Sequence, residues 1–409
     1  VGYLGYFLGV QAGYIGDEVD PWLTQPLNQA SYVVGEYNST HYYGQNSTGY
    51  GTSGNEGYEF LSTDASYVIQ SAFDATSSGE SIFITASNYE ISSTINIDHS
   101  GVTIKGESRD WGTQLINTMA NGYIFNISSA TGNRVEYCTI ENLMLRSSSR
   151  TANRHGINIF GVRLLKLRNL YFRNLDNGIT VDGSTTDRHN RGGCVFSFID
   201  MENMVGCGIN FTGTVCTPEF DMYGIRIWAE DYDSDPDYGI IADEVLGTWV
   251  NVEIDYTNKS AIDLTNPYQV SLMSPWVEYA GKYGIYLHGS LGKYNKIEGG
   301  LVQNSQYHGI YLVDIQKTEI TSVHLRNNGK AGAYDGIRLA NTTDNILTAI
   351  HAYDDAGSRT QDWGIKESGT ADYNIITSCN TKYNEVSGIW KEGSNTKVNL
   401  CWNSSSWIA

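Results

Sequence analysis

The sequence predicts an all-β protein, a parallel β-helix in which the chain winds through about eleven coils. Three observations predict it. First, a short phrase of small residue, Ile, any residue and aliphatic residue returns with variation: HGINIF from 155, NGITVD from 177, CGINFT from 207, YGIIAD from 238, SAIDLT from 260, YGIYLH from 283, HGIYLV from 308, DGIRLA from 335, WGIKES from 363 and SGIWKE from 387. Successive copies start 22 to 31 residues apart, the length of one coil made of about three short strands plus variable loops. Second, a strand of alternating apolar and polar residues lies ahead of many copies, as in LKLRNLYFRN, VFSFIDMEN, WVNVEIDYTN and TEITSVHLRNN. Third, the composition suits many short strands and tight turns, with 44 Gly, 29 Tyr, 6 Pro and only 17% charged residues, against roughly 25% in ordinary globular chains.

Residues 1–60 precede the repeat, rich in Gly, Tyr, Asn and Ser and without a recognisable coil. They are expected to form an arm, cap or assembly segment, because an open solenoid end exposes unpaired strand edges. The opening GYLGYFLGVQAGYIG reads as a packing or assembly stretch, with a membrane-proximal remnant or a plain cap as alternatives. The repeat domain is expected over 61–409. Many of its alternating strands end in Asn or Asp, as at Asn174, Asn203, Asn258, Asn304, Asn327 and Asn384. At equivalent turns these side chains can stack and hydrogen-bond along a solenoid.

From about residue 64 to the end, the chain resembles the pectate-lyase-like right-handed parallel β-helix superfamily. The segment TDASYVIQSAFDATSSGESIFITASNYEISSTINIDHSGVTIKGE carries the resemblance most specifically. It is similar to the usual start of that fold, a short amphipathic capping helix (about Ala65 to Ala75) followed by the first coil. The resemblance implies a right-handed single-chain solenoid, and no single activity, because the superfamily contains lyases, hydrolases, epimerases, phage tailspikes and non-catalytic surface proteins. The NTD, Ser-Gly-His-Gly and Arg-x-Lys patterns of the polygalacturonase type and the pectate lyase vWiDH signature are absent from this sequence. An enzyme on this chain would belong to an uncommon branch.

Side chains alternate along a strand, so aligning successive coils on the turn Asn or Asp sorts them into inward and outward rows. The inward rows come out apolar: Leu170, Ile199, Ile227, Ile254 and Val323 in one, Phe172, Met201, Tyr256, Val302 and Leu325 in another. One outward row reads Arg173, Glu202, Glu230, Thr257, Glu278, Gln303, Arg326. The next reads Tyr171, Asp200, Trp228, Asp255, Trp276, Leu301, His324, His351, and a third reads Asn169, Phe198, Arg226, Glu253, Ser274. Rungs about 4.8 Å apart would gather these groups on one groove face. Closely ranked carboxylates push one another's pKa upward, the condition for a protonated acid beside an ionised base in glycosidic cleavage. Trp faces stack on sugar rings. The candidate catalytic residues are therefore Glu202, Glu230, Asp200 and Asp255, and the candidate substrate-binding residues are Trp228, Trp276, Arg226, Glu253, Glu278 and His324. The competing reading is a polar outer face with incidental aromatics.

The stretch DYDSDPDYG sets Asp231, Asp233 and Asp235 at alternating positions, a supply of hard oxygen ligands suited to Ca²⁺. Pro236 stands where an EF-hand loop has Gly, and a solvated acidic loop is the alternative. No other cofactor is expected. Of six cysteines, Cys194 and Cys216, and again Cys379 and Cys401, lie 22 residues apart. That spacing places each pair on neighbouring rungs, either as a disulfide or as stacked free thiols.

A formal net charge of -19 and a pI near 4.7 argue against a nucleic-acid partner, which needs clustered Lys and Arg. No run reaches the 18 or more apolar residues of a membrane span. The leading expectation is a secreted or surface-exposed protein that cleaves a polysaccharide, by hydrolysis rather than β-elimination, since the groove holds more acids than bases. Its acidity favours a neutral or weakly charged glycan. The alternative is a non-catalytic surface, sheath or viral fibre protein of the tailspike kind, a rigid rod forming a homo-oligomer (trimer or filament).

Overall fold

The isoleucine of the repeat phrase sets the coil. Ile157, Ile179, Ile209, Ile240, Ile262, Ile285, Ile310, Ile337, Ile365 and Ile389 stand in one continuous register across parallel strands, and all are buried. The computed structural model describes residues 30–46, 59–128, 134–183, 192–213, 219–230, 235–403 and 406–408. Within it the phrases form a single sheet of twelve strands, from Ile95–Ile97 to Ser387–Trp390. Eleven steps at the strand spacing give a rod roughly 50 Å long. The small residue ahead of each Ile has a steric reason: a Cβ at Gly309 would lie 2.8 Å from the carbonyl oxygen of Gly336, and one at Gly336 2.7 Å from that of Gly364.

The strand ahead of each phrase is bent into two further sheets by a residue with positive φ, among them Asn142 (58°), Asn169 (51°), Phe198 (54°), Asn251 (53°) and Ser274 (53°). The part before the bend builds the first sheet and the part after it the second. Lys166–Arg173 pairs on both sides of its bend with Cys194–Glu202, and that strand likewise with Phe220–Trp228. A further left-handed residue closes the second sheet at Asn174, Asn203, Tyr256, Tyr279, Asn304 and Asn327. Four of the six turn residues noted in the sequence thus serve a backbone need, because Asn tolerates this conformation better than most residues. Asn258 and Asn384 do not: the positive φ belongs to Tyr256 and Tyr383. Asn384 instead joins a buried amide ladder, accepting from Gln361 Nε2 at 2.6 Å, while Asn345 Nδ2 donates to Asn374 Oδ1 at 2.9 Å.

Helix α1, Ala65–Asp74, covers the first coil, with Val68, Ile69, Ala72 and Phe73 buried against it and the Asp64 carboxylate accepting from the Ser66 N–H at 2.9 Å. The described part of the first 60 residues is a hairpin, Tyr32–Asn38 with His41–Asn46. Its first strand adds in parallel to Ser81–Ile84, which pairs the open edge. The opening segment over residues 1–29 lies outside the described residues. So does Cys216. Cys379 and Cys401 are buried free thiols on adjacent rungs, donating to the Thr377 carbonyl at 3.2 Å and the Asn399 carbonyl at 3.1 Å. Among the described residues no helix is long and apolar enough to cross a membrane.

The left-handed turn gives a direct check. Asn304→Gly is expected to change stability by a few tenths of a kcal/mol, whereas Asn304→Val should cost about 1–2 kcal/mol through steric strain at positive φ. Denaturant melts of the two variants would show it, and equal midpoints would mean that the turn does not constrain the coil.

Candidate functional site

The outward side chains of the second sheet form two rows. The first runs Arg173, Glu202, Trp228, Asp255, Glu278, Gln303, Arg326; Trp228 and Asp255 follow the paired Ile227 and Ile254. The second runs Tyr171, Asp200, Arg226, Glu253, Trp276, Leu301, His324, His351. This corrects the alignment drawn from the turn residues. Trp228 neighbours Glu202 rather than Asp200, Trp276 neighbours Glu253 rather than Asp255, and Glu230 stands in neither row. The inward rows change in the same way, with Ile225 and Val252 taking the places given to Ile227 and Ile254. The slip is two residues, caused by Ala229 and Tyr256 occupying the positions that Asn203 marks one and two coils earlier. A shift of two keeps strand side chains on their face, so Glu202, Trp228, Asp255 and Trp276 still point outward with changed neighbours, whereas Thr257, expected outward, is buried, and Tyr256, expected inward, is a half-buried turn residue.

Glu230 nevertheless meets Glu202. The Asn203 amide folds it back, its oxygen accepting from the Glu230 N–H at 2.9 Å and its nitrogen donating to Oε2 at 3.3 Å. Arg173 Nη2 then bridges the two carboxylates, 3.3 Å from Glu202 and 3.2 Å from Glu230. Glu202 is only 4% exposed and also accepts from the Tyr171 hydroxyl. Burial first, then its hydrogen bond to Glu230 and the charge there, push it up to about 7, against the pull of Arg226.

Asp255 reaches a similar value by a different route. Burial, then the nearby Glu253 and Glu278 carboxylates, push it up to about 7, and its Oδ1 is buried with no hydrogen-bond partner. Such an atom is better tolerated on a neutral carboxyl than on a carboxylate. Glu253 is raised as well, first by burial, with Arg226 opposing and Asp200 and Glu278 adding. Glu278 is held by two donors, Trp276 Nε1 at 2.7 Å and Gln303 Nε2 at 2.6 Å.

Asp200 has a different part. It lies between two guanidinium groups, Arg109 Nη2 at 2.8 Å and Arg226 Nε at 3.1 Å, and so anchors Arg226. Arg226 sits over the Trp228 ring at 4.1 Å, and Tyr171 lies parallel to that ring at 6.1 Å. Trp228 is therefore engaged by its own neighbours. Trp276, 46% exposed, is the freer platform. His324 stacks on His351 at 4.8 Å, two rungs beyond Trp276.

Two contributors were not singled out in the sequence, Arg109 and Trp111, both in the turn ESRDWG before the strand Thr113–Asn117. Arg109 also donates to the Phe198 carbonyl at 3.1 Å. Trp111 is 58% exposed beside the Arg173 guanidinium, 5.5 Å from the ring centroid. An Arg and a Trp in a Gly-bounded turn were the available signal, but the turn lies far from 200 in sequence.

Of the proposed calcium ligands, Asp231 and Asp233 lie outside the described residues. Asp235 is buried, its carbonyl accepting from Arg150 Nη2 at 2.7 Å and Asn258 Nδ2 at 2.9 Å. Among the described residues no group of three or more His, Cys, Asp or Glu could hold a metal ion.

The fold is a right-handed parallel β-helix. No protein-family model and no curated protein matches the sequence. Solved structures do. DFA-IIIase from Arthrobacter chlorophenolicus A6, in complex with GF2, is similar over 77% of this chain and 90% of its own, with a TM-score of 0.62 and 13% identity. Tailspike protein 3 of bacteriophage CBA120 is similar over 88% of this chain and 63% of its own, with a TM-score of 0.56 and 14% identity. The A-module of a mannuronan C-5 epimerase from Azotobacter vinelandii is similar over 86% of this chain and 96% of its own, with a TM-score of 0.55 and 14% identity.

The raised carboxyls make a stability prediction with a definite sign. Both bind protons more tightly folded than unfolded. Their contribution is fully present below the unfolded carboxyl pKa, roughly 4, and is lost as pH rises through about 7. Asp255→Asn should accordingly raise the melting temperature at pH 8 and change it little at pH 4. Calorimetry at the two pH values checks this, and an equal effect at both would mean an ordinary carboxyl.

Proposed function

We propose that this protein binds a neutral or weakly charged glycan along the second sheet and hydrolyses it, with Asp255 as proton donor and Glu202 as base. The observation that carries the reading is a pair of outward carboxyls in one row, each raised to about 7, with Trp228 on the rung between. Asp255, with its unpartnered oxygen, suits the protonated role. Glu202 accepts from the Tyr171 hydroxyl and pairs with Arg173 at 3.3 Å, contacts that orient its ionised form, which is reached as pH rises through about 7. In the reaction, Asp255 passes its proton to the glycosidic oxygen as the bond to the anomeric carbon breaks. Glu202 takes a proton from the water that attacks that carbon.

The two side chains stem from strands two rungs apart, roughly 10 Å between backbones. That leaves room for a water and suits inversion better than the closer pairing of retaining enzymes. Trp276 at one end and Trp111 at the other supply sugar-stacking faces. Glu230 tunes Glu202, and Glu253 and Glu278 tune Asp255. The neighbours in fold support a polysaccharide-related role through what they are named for, a mannuronan epimerase, a DFA-IIIase and a tailspike. A place outside the cell belongs to the same proposal. A calcium ion at Asp231, Asp233 and Asp235 would brace the loop beside Glu230 and takes no part in the chemistry.

The second reading is a non-catalytic fibre or sheath rod that assembles as a trimer or filament. One observation favours it: Arg226 and Tyr171 engage the Trp228 ring from within the chain, as they would on a face built for rigidity.

The test is kinetic. Glu202→Gln and Asp255→Asn should each lower turnover about a hundredfold or more and leave glycan affinity nearly intact. Trp276→Ala should weaken binding by about 1 kcal/mol, while Asp200→Asn should act only indirectly by loosening Arg226. Full activity in both carboxyl variants would remove the site. Absence of cleavage across a neutral-glycan panel, with a trimeric mass by light scattering, would favour the rod.

A further inference from the structure

The outer face of the third sheet, the twelve-strand sheet of the repeat phrases, carries a row that the proposed cleavage does not use. In register across six strands it reads Asp263, Tyr286, Tyr311, Arg338, Lys366, Trp390. Asp263 is already engaged, its Oδ1 3.0 Å from His288 Nε2. The next four side chains all end in hydrogen-bond donors. Tyr286 and Tyr311 stack 5.3 Å apart at 17°, so ring edges and hydroxyls are what a ligand would meet. Asp314 is the acid whose charge acts on both of these tyrosines, while Asp335 also acts on Tyr311.

Arg338 is fixed from beneath. Its Nη1 donates to Asp335 Oδ2 at 3.0 Å and its Nε to Ser368 Oγ at 3.0 Å, and Asp335 is 1% exposed. Nη2 has no protein partner among the described residues. Lys366 makes no ion pair there either, lying 5.7 Å from the Trp363 ring. Trp390, 47% exposed, meets Trp363 edge-on at 5.5 Å. A buried carboxylate that holds a guanidinium outward, next to a free ammonium and an exposed indole, is a built arrangement rather than scattered surface charge.

We propose that this face binds an acidic polysaccharide. Arg338 and Lys366 pair with its carboxylate or sulfate groups, the tyrosine hydroxyls donate to sugar oxygens, and Trp390 stacks on a ring. The rungs repeat at about 4.8 Å, so successive donors meet successive groups of an extended polymer lying along the rod. The ligand differs in charge from the one proposed for the acid-lined second sheet, and neither proposal depends on the other.

Affinity electrophoresis of the full chain in gels containing polygalacturonate, chondroitin sulfate or neutral dextran tests it. Retardation by an acidic polymer, weakening with added salt and absent with dextran, is expected, and which polymer retards more tells carboxylate from sulfate. The double variant Arg338→Gln, Lys366→Gln should weaken binding about tenfold or more. Tyr286→Phe, which keeps the ring stack, should weaken it less at an unchanged melting temperature. Glu202→Gln should bind like the wild type. No retardation by either acidic polymer, or equal retardation of the double variant, would overturn the proposal.

Discussion

Everything in this molecule depends on each coil returning to within one strand spacing of the coil before. The hydrogen bonds of a parallel sheet demand that return, and the buried isoleucine row, the glycine ahead of it and the left-handed turn residues make it possible. Stacking in register has a chemical consequence. Like positions on successive coils become neighbours at about 4.8 Å, so residues 26 to 29 apart in the chain, such as Arg173, Glu202 and Trp228, act as one surface.

On such a surface carboxylates cannot avoid each other. Glu202 and Glu230, and Asp255 with Glu253 and Glu278, are held closer than free side chains would choose, and burial removes the water that would screen them. Arg173 and Arg226 offset part of the repulsion without removing it, and Asp200 holds Arg226 in place by ion pairing with Arg109 on its other side. Two carboxyls are left able to exchange a proton near neutrality. The third sheet shows the opposite result of the same stacking, a line of donors ending in two cations.

The sequence was most legible where physics repeats. The Ile phrase, the strand alternation and the capping helix are local patterns, and all three appear where the residues indicated. The outward face of Asp200, Glu202, Arg226, Trp228, Glu253, Asp255, Trp276 and Glu278 was legible for the same reason, since facing follows alternation alone. Their neighbours were not, because pairing depends on how many residues each turn consumes, and Ala229 and Tyr256 hide the Asn that marks the turn elsewhere. Nor could the sequence show that Arg109 and Trp111, some ninety residues upstream, come to the site, as that is decided by a loop crossing several coils. The Asn203 amide that folds Glu230 onto Glu202 is a contact of the same kind.

The central claim is that two identified carboxyls keep their protons to about neutral pH because of where the coils place them. A carbon-13 NMR titration of carboxyl-labelled protein tests it without any substrate. The account requires two resonances with midpoints near pH 7 in the wild type, one missing in Asp255→Asn and the other in Glu202→Gln. Titration of every resolved carboxyl below about pH 5 would contradict it.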